Sequence, residues 1–117
     1  MNIQLITTLK RLGFTRIQAQ ALDYLLSETK WPALTRDIEK GADLRQQEVN
    51  MVIRNFVKRG WLEEVKAPGN GTKGKPPFLY RFTLNKGSLY EIIQADARKK
   101  MAELEGLVCT DLYQILR

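Results

Sequence analysis

Apolar residues recur along this chain with two different periods. Near the N-terminus, Ile3, Leu5, Ile6, Leu9 and Leu12 follow the three-and-four spacing of one helix face. Gly13 stands just past that run, where helices favour a left-handed stop. Thr15 and Gln18 have the spacing of a capping box. Behind them, Ile17, Ala21, Leu22, Leu25 and Leu26 predict a second amphipathic helix reaching about Glu28. Pro32 then forbids continuation, because it pushes Trp31 out of the helical region. A short helix is expected over residues 36–40 with Thr35 as its cap, followed by a tight turn in "GADL", residues 41–44. A third long helix is expected over residues 45–58. It places Val49, Val52, Ile53, Phe56 and Val57 on one side and has Gly60 as its stop.

After Gly60 the period changes to two. Residues 61–65 read as a strand, and Phe78, Tyr80, Phe82 and Leu84 alternate with Leu79, Arg81 and Thr83. Between these runs, residues 67–77 hold Gly, Pro, Asn and Lys and little else, which predicts a loop. A last helix begins near Ser88 and runs toward the C-terminus. There is no internal repeat and no disordered tail. The predicted fold class is therefore α+β, mostly α. A short helix, a tight turn and a longer helix make a helix-turn-helix unit. The hairpin after it adds a two-stranded β-wing, with residues 66–78 as its tip, and the whole reads as a winged helix-turn-helix with a long C-terminal helix. The expected division is a helix-turn-helix domain over residues 1–86 and a C-terminal helix over residues 87–117.

The side of the 45–58 helix that faces solvent carries Gln46, Gln47, Asn50, Met51, Arg54 and Lys58. Gln46, Asn50, Arg54 and Lys58 are spaced by four and form one stripe. The N-terminal half of such a helix is the part that enters a major groove. Asn and Gln pair bidentately with adenine, and Arg with guanine. Arg45, at the helix entrance, suits a phosphate, and Arg36 on the preceding short helix joins the same expected set. Any exposed helix face also carries such residues, so the stripe gains its meaning from its place after the turn. Glu48 reads as a first-turn acid favoured by the helix dipole.

The loop raises a competing chemistry. "GNGTKGK" holds both G-x-G-x-x-G, at Gly69, Gly71 and Gly74, and G-x-x-x-x-G-K, ending at Lys75. A phosphate loop must enter a helix, whose first amides hold the anion. Here Lys75 is followed by Pro76, Pro77 and a strand, so no such amides follow. Pro76 also stands where the magnesium-binding hydroxyl would be. A flexible hairpin tip fits better, with Lys73 and Lys75 projecting charge toward a DNA backbone and minor groove.

Charge and composition narrow the classes further. Nineteen Lys and Arg face thirteen Asp and Glu, for a net charge of +6, which favours a polyanionic partner. The stretch from Lys66 through Lys86 holds Lys66, Lys73, Lys75, Arg81 and Lys86 and no acid. The chain has no histidine and a single cysteine, Cys109, which excludes histidine-based catalysis, an intramolecular disulfide and any ordinary structural zinc site. Glu63 and Glu64 are adjacent in a strand and point to opposite faces, a poor acid–base pair. No apolar run reaches the ~18 residues of a membrane span, and the N-terminus lacks a secretory pattern. No cofactor, metal or membrane is expected, and a cytoplasmic location is.

These residues carry a resemblance. "TRDIEKGADLRQQEVNMVIRNFVKRGWLEE" and "GKPPFLYRFTL" resemble the small archaeal winged-helix predicted transcriptional regulators related to the TrmB, ArsR and MarR types. The resemblance spans roughly residues 9–84. It implies a homodimeric regulator of double-stranded DNA, with Arg45, Gln46, Gln47, Asn50 and Arg54 on the reading helix and Lys73 and Lys75 on the wing. Nothing like the sugar-binding domain of longer TrmB proteins is present, so a sugar effector is not implied.

The last helix supplies the dimer expectation from its own residues. Ile93, Ala97, Met101, Leu104, Val108, Leu112 and Ile115 step by three or four, a narrow seam suited to a helix partner. Such a helix would be about 40 Å long at ~1.5 Å per residue, too long for so small a domain to cover. Leu5, Ile6 and Leu9 are expected to join that interface, and Gly106 to kink or break the helix. A winged-helix module that binds another protein in a transcription assembly remains the alternative function.

Overall fold

A computed structural model describes residues 1–27, 31–65 and 79–117. The chain divides into two units, Met1–Thr83 and Leu84–Arg117.

In the first unit, α1 (Ile3–Arg11) and α2 (Arg16–Ser27) start at the predicted signals. Asn2 accepts the Leu5 N–H at 3.1 Å, and Gly13 takes the left-handed φ of 107° past the end of α1. Thr15 and Gln18 form the expected capping box. The Gln18 N–H donates to Thr15 Oγ1 at 3.2 Å and the Thr15 N–H to Gln18 Oε1 at 3.0 Å. α3 (Thr35–Ala42) and α4 (Gln46–Arg59) pack with α2 around Leu22, Leu25, Ile38, Ala42, Val49, Val52 and Phe56, all buried. Each large apolar side chain taken out of water there contributes roughly 1.5–3 kcal/mol.

Several boundaries differ from the sequence reading. Thr35 is the first residue of α3, and Leu34 is its cap. The reason is Asp37, whose carboxylate accepts the Leu34 N–H at 3.0 Å and so fixes the start one residue earlier. α3 also runs on through Gly41 and Ala42, since Ala42 is buried and its helix face continues the core. The turn is thereby narrowed to the residues around Asp43, which adopts φ 56°, ψ 51°. Aspartate tolerates this left-handed state better than most residues. The Leu44 N–H closes the turn on the Glu39 carbonyl at 2.9 Å. Arg45 caps α4 from outside the helix, and Val57 is 40 % exposed rather than part of the inner face.

The two strands of the wing pair as predicted, and a short third strand joins them. β1 (Ala33–Leu34), β2 (Leu62–Val65) and β3 (Leu79–Phe82) are antiparallel in the order β1-β3-β2. β3 pairs Tyr80 with Ala33 on one side and with Glu64 on the other. A two-residue strand is too short to show any alternation, so β1 left no mark in the pattern. The predicted loop and wing tip, with Lys73, Lys75 and the glycines, lie outside the described residues, as does Glu28.

The exit of α4 is an aromatic corner. Gly60 takes φ 81°, and the Trp61 N–H reaches back to the Phe56 carbonyl at 2.8 Å. The Trp61 ring lies 5.2 Å from Phe56 and 6.2 Å from Phe14 between centroids. Thr83 ties the sheet to this corner. Its hydroxyl donates to the Gly60 carbonyl at 2.8 Å and its N–H to the Trp61 carbonyl at 2.9 Å.

The second unit is helical from Lys86 to Leu116, as α5 (Lys86–Gly106), a π-helical segment (Leu107–Leu112) and α6 (Tyr113–Leu116). Its start precedes the predicted Ser88 because Asn85 and Ser88 form a capping box. Asn85 Oδ1 accepts the Ser88 N–H at 2.8 Å, and Ser88 Oγ accepts the Asn85 N–H at 2.8 Å. Gly106 does not break the helix. Its φ of −60° and ψ of −43° are right-handed helical, and Leu107 continues at −64° and −42°. Glycine in a helix costs only about 0.5–1 kcal/mol relative to alanine, too little to end one on its own.

Gly41 is packed without room for a side chain. A Cβ there would overlap the ring carbons of Tyr24. Gly41→Ala is expected to destabilise the protein by ~1–3 kcal/mol or more, read as a lower urea midpoint, whereas Gly106→Ala, with open space at its Cβ, should not.

Candidate nucleic-acid interface

Burial of Val49, Val52, Ile53 and Phe56 fixes the rotation of α4 about its own axis. That leaves Gln46, Gln47, Asn50, Met51, Arg54 and Lys58 exposed together. The helix advances about 100° per residue, so Gln47, Met51, Arg54 and Lys58 fall within about 60° of one another, opposite the core face. Gln46 and Asn50 flank them on one side. The predicted stripe of Gln46, Asn50, Arg54 and Lys58 is therefore exposed, but it slants across the solvent face and does not mark its centre.

Arg45 sits exposed at the entrance to α4, and Arg36 is exposed near the start of α3. Among the described residues, no carboxylate forms an ion pair with Arg36, Arg54 or Lys58. Other cations are committed. Arg81, counted in the sequence as part of an acid-free basic stretch, pairs with Glu63 directly across the β2–β3 ladder. The Arg59 guanidinium lies 4.8 Å from the Trp61 ring centre and 5.9 Å from that of Phe14. Among the described residues, Arg36 on α3 and Arg54 and Lys58 on α4 thus remain without an ion pair.

Glu48 holds the entrance of α4 in place. Its Oε1 accepts the Arg45 N–H at 3.0 Å, and its Oε2 meets Arg16 Nη2 of α2 at 2.5 Å. Arg16 also donates to Gln20 at 2.5 Å, and Gln18 donates to Asn55 of α4 at 3.4 Å. The Arg45 amide, first, and the Arg16 guanidinium pull the Glu48 carboxyl below its ordinary value, against an opposing desolvation. So Glu48 is more than a first-turn acid. Its partner Arg16 lies 32 residues away, and nothing local in the sequence marks that pair. On the sheet, burial, and secondarily the charge of Glu64, push the Tyr80 hydroxyl above its ordinary range.

Of the expected dimer seam, Ile93 and Ala97 are half-buried, while Met101, Leu104, Val108, Leu112 and Ile115 are exposed. Leu9 departs from its expected place in the interface. It is buried, as the core-facing residue of α1, while Leu5 and Ile6 are half-buried. Among the described residues no group of His, Cys, Asp or Glu is placed to hold a metal, and no helix is long and apolar enough to cross a membrane.

A sequence model of the MarR family matches residues 12–71, just over half of the chain. The chain belongs to the MarR family. Of the three types that the sequence resembles, this is the one the match supports. Solved structures share its fold at low identity. A possible transcriptional regulator from Methanosarcina mazei Go1 superposes with a TM-score of 0.68 at 16% identity, covering 92% of this chain and 87% of that one. MepR, a transcription regulator of the Staphylococcus aureus multidrug efflux pump MepA, gives 0.51 at 14% identity, covering 97% and 85%. The S. aureus MepR–DNA complex gives 0.50 at 16% identity, covering 95% and 87%. No curated protein sequence matches the chain. The MarR-type winged helix accounts for both units described above, the small sheet and the long C-terminal helix.

A carboxyl group whose value is lowered on folding contributes stability above its ordinary value, near 4.5 here, and loses it as pH falls through the lowered value. Glu48→Gln keeps an acceptor for the Arg45 amide but neither titrates nor pairs with Arg16. The variant is expected to melt below wild type at pH 7 and to converge with it once the pH falls below the lowered Glu48 value, where Glu48 is itself protonated. Thermal melts across that range check this.

Proposed function

We propose that this MarR-family protein is a transcriptional regulator that binds double-stranded DNA sequence-specifically as a homodimer. The observation that carries the reading is the solvent face of α4. It groups amide side chains suited to adenine with an arginine suited to guanine, and among the described residues Arg54 and Lys58 pair with no carboxylate. The MepR–DNA complex, a structure of similar fold, supports the same assignment. In this reading the N-terminal half of α4 enters the major groove, with Gln46, Gln47, Asn50 and Arg54 at base edges. Arg36, Arg45 and Lys58 meet phosphates, and Lys73 and Lys75 track the backbone or minor groove. The exposed seam of Met101, Leu104, Val108, Leu112 and Ile115, with Ile93 and Ala97, joins two copies about a two-fold axis. Two reading helices then address successive major grooves of a palindromic site. The protein requires no catalytic group, since promoter occupancy alone represses or activates by position.

Fluorescence anisotropy separates the parts of this reading. Wild type should bind random duplex at ~50 mM salt and a selected site more tightly, and no binding to any duplex would refute the assignment. Arg54→Ala and Asn50→Ala should each cost ~1–3 kcal/mol on the selected site and far less on random DNA. Joint replacement of Lys73 and Lys75 by alanine should weaken both alike and flatten the salt dependence.

The dimer is tested by sedimentation velocity. Leu104→Glu places a charge in the middle of the seam and is expected to shift the protein from dimer to monomer. A wild-type protein that sediments as a monomer at all concentrations would remove the seam's proposed role.

A further inference from the structure

The reading of α4 as a DNA helix leaves one of its central residues without a role. Met51 is 62% exposed. It is one turn from Gln47 and three residues from Arg54, at the middle of the solvent face. It is also the sixth of the helix's 14 residues, within the half that approaches base edges. The other exposed apolar residue of α4, Val57, is near the helix end. Polar neighbours surround Met51, so a purely apolar protein surface is a poor match for the patch as a whole.

Base edges offer a better match. The major-groove edge of an A·T pair presents amide-compatible acceptor and donor groups on adenine and an apolar 5-methyl group on thymine. Gln47, one turn before Met51 on the same face, supplies an amide of the first kind. The methionine side chain is unbranched, flexible and polarizable, and adapts to a small apolar contact. We infer that Met51 is a specificity-determining residue that packs on a thymine methyl group, next to the adenine-reading amide of Gln47. The inference rests on the DNA-binding reading above and adds to it a requirement for thymine at a fixed distance from an adenine contact.

Deoxyuridine differs from thymidine by that methyl group alone. The selected DNA site is rebuilt with deoxyuridine at each thymine in turn, and affinities are measured for wild type, Met51→Ala and Met51→Leu. At one thymine per half-site, wild type should lose about four-fold, the equivalent of one buried methyl. Met51→Ala should bind the thymine site more weakly and show no further loss at that deoxyuridine, and Met51→Leu should keep most of the methyl dependence. Exposed, and with no side-chain hydrogen bond among the described residues, Met51 is replaceable without loss of folding. Equal deoxyuridine losses in wild type and Met51→Ala at every position would overturn the inference while leaving the DNA-binding reading intact. Failure of wild type to bind any duplex would remove that reading and Met51's role with it.

Discussion

The burial of Phe56 is the contact on which the first unit depends. Its ring is fully enclosed, tilted against that of Trp61, and its backbone carbonyl receives the Trp61 N–H. One residue thus anchors α4 in the three-helix core and sets the corner from which the sheet departs. With Val49 and Val52 it also fixes which way α4 faces. A rotation of α4 by one residue would bury a polar side chain and expose an apolar one. The exposed face is therefore set from the inside. The order of Gln47, Asn50, Met51 and Arg54 at the surface is a consequence of core packing, even though none of them belongs to the core.

The larger elements were legible because they rest on local rules. Helix periodicity located all the long helices, and the Thr15–Gln18 box and the Gly13 and Gly60 stops formed as expected. What escaped was decided at a distance or by too few residues. β1 is two residues long, and only its partner β3 makes it a strand. The extent of α3 depends on Ala42 finding the core and on Gly41 lying against Tyr24. For the candidate interface, the exposure of the α4 residues was readable from sequence, and Met51 was visible on the outer face. Its central placement became apparent only once the core fixed the helix rotation. The Arg16–Glu48 pair, joining two helices, had no local trace at all.

Electrostatics shows the same division between local and global. The formal charge of +6 treats every cation alike, but the fold does not. Glu48 holds Arg16, Glu63 holds Arg81, and two aromatic rings hold Arg59. An exposed ion pair of this kind adds little stability, but it removes a charge from the field seen by an approaching polyanion. Among the described residues, Arg36, Arg54 and Lys58 remain without an ion pair, on two consecutive helices. Proteins steer ligands by where such charge lies, more than by its total.

The C-terminal helix carries a last consequence. Met101, Leu104, Val108 and Ile115 are 56–79% exposed, so little in a single copy rewards that stretch for being helical. Helices standing alone in water owe their order to weak propensity and are marginal unless something packs against them. If a second copy provides that packing, helix formation and association become one equilibrium. The helical content of this part of the chain would then rise with protein concentration. Circular dichroism on dilution would report assembly as directly as any measure of mass.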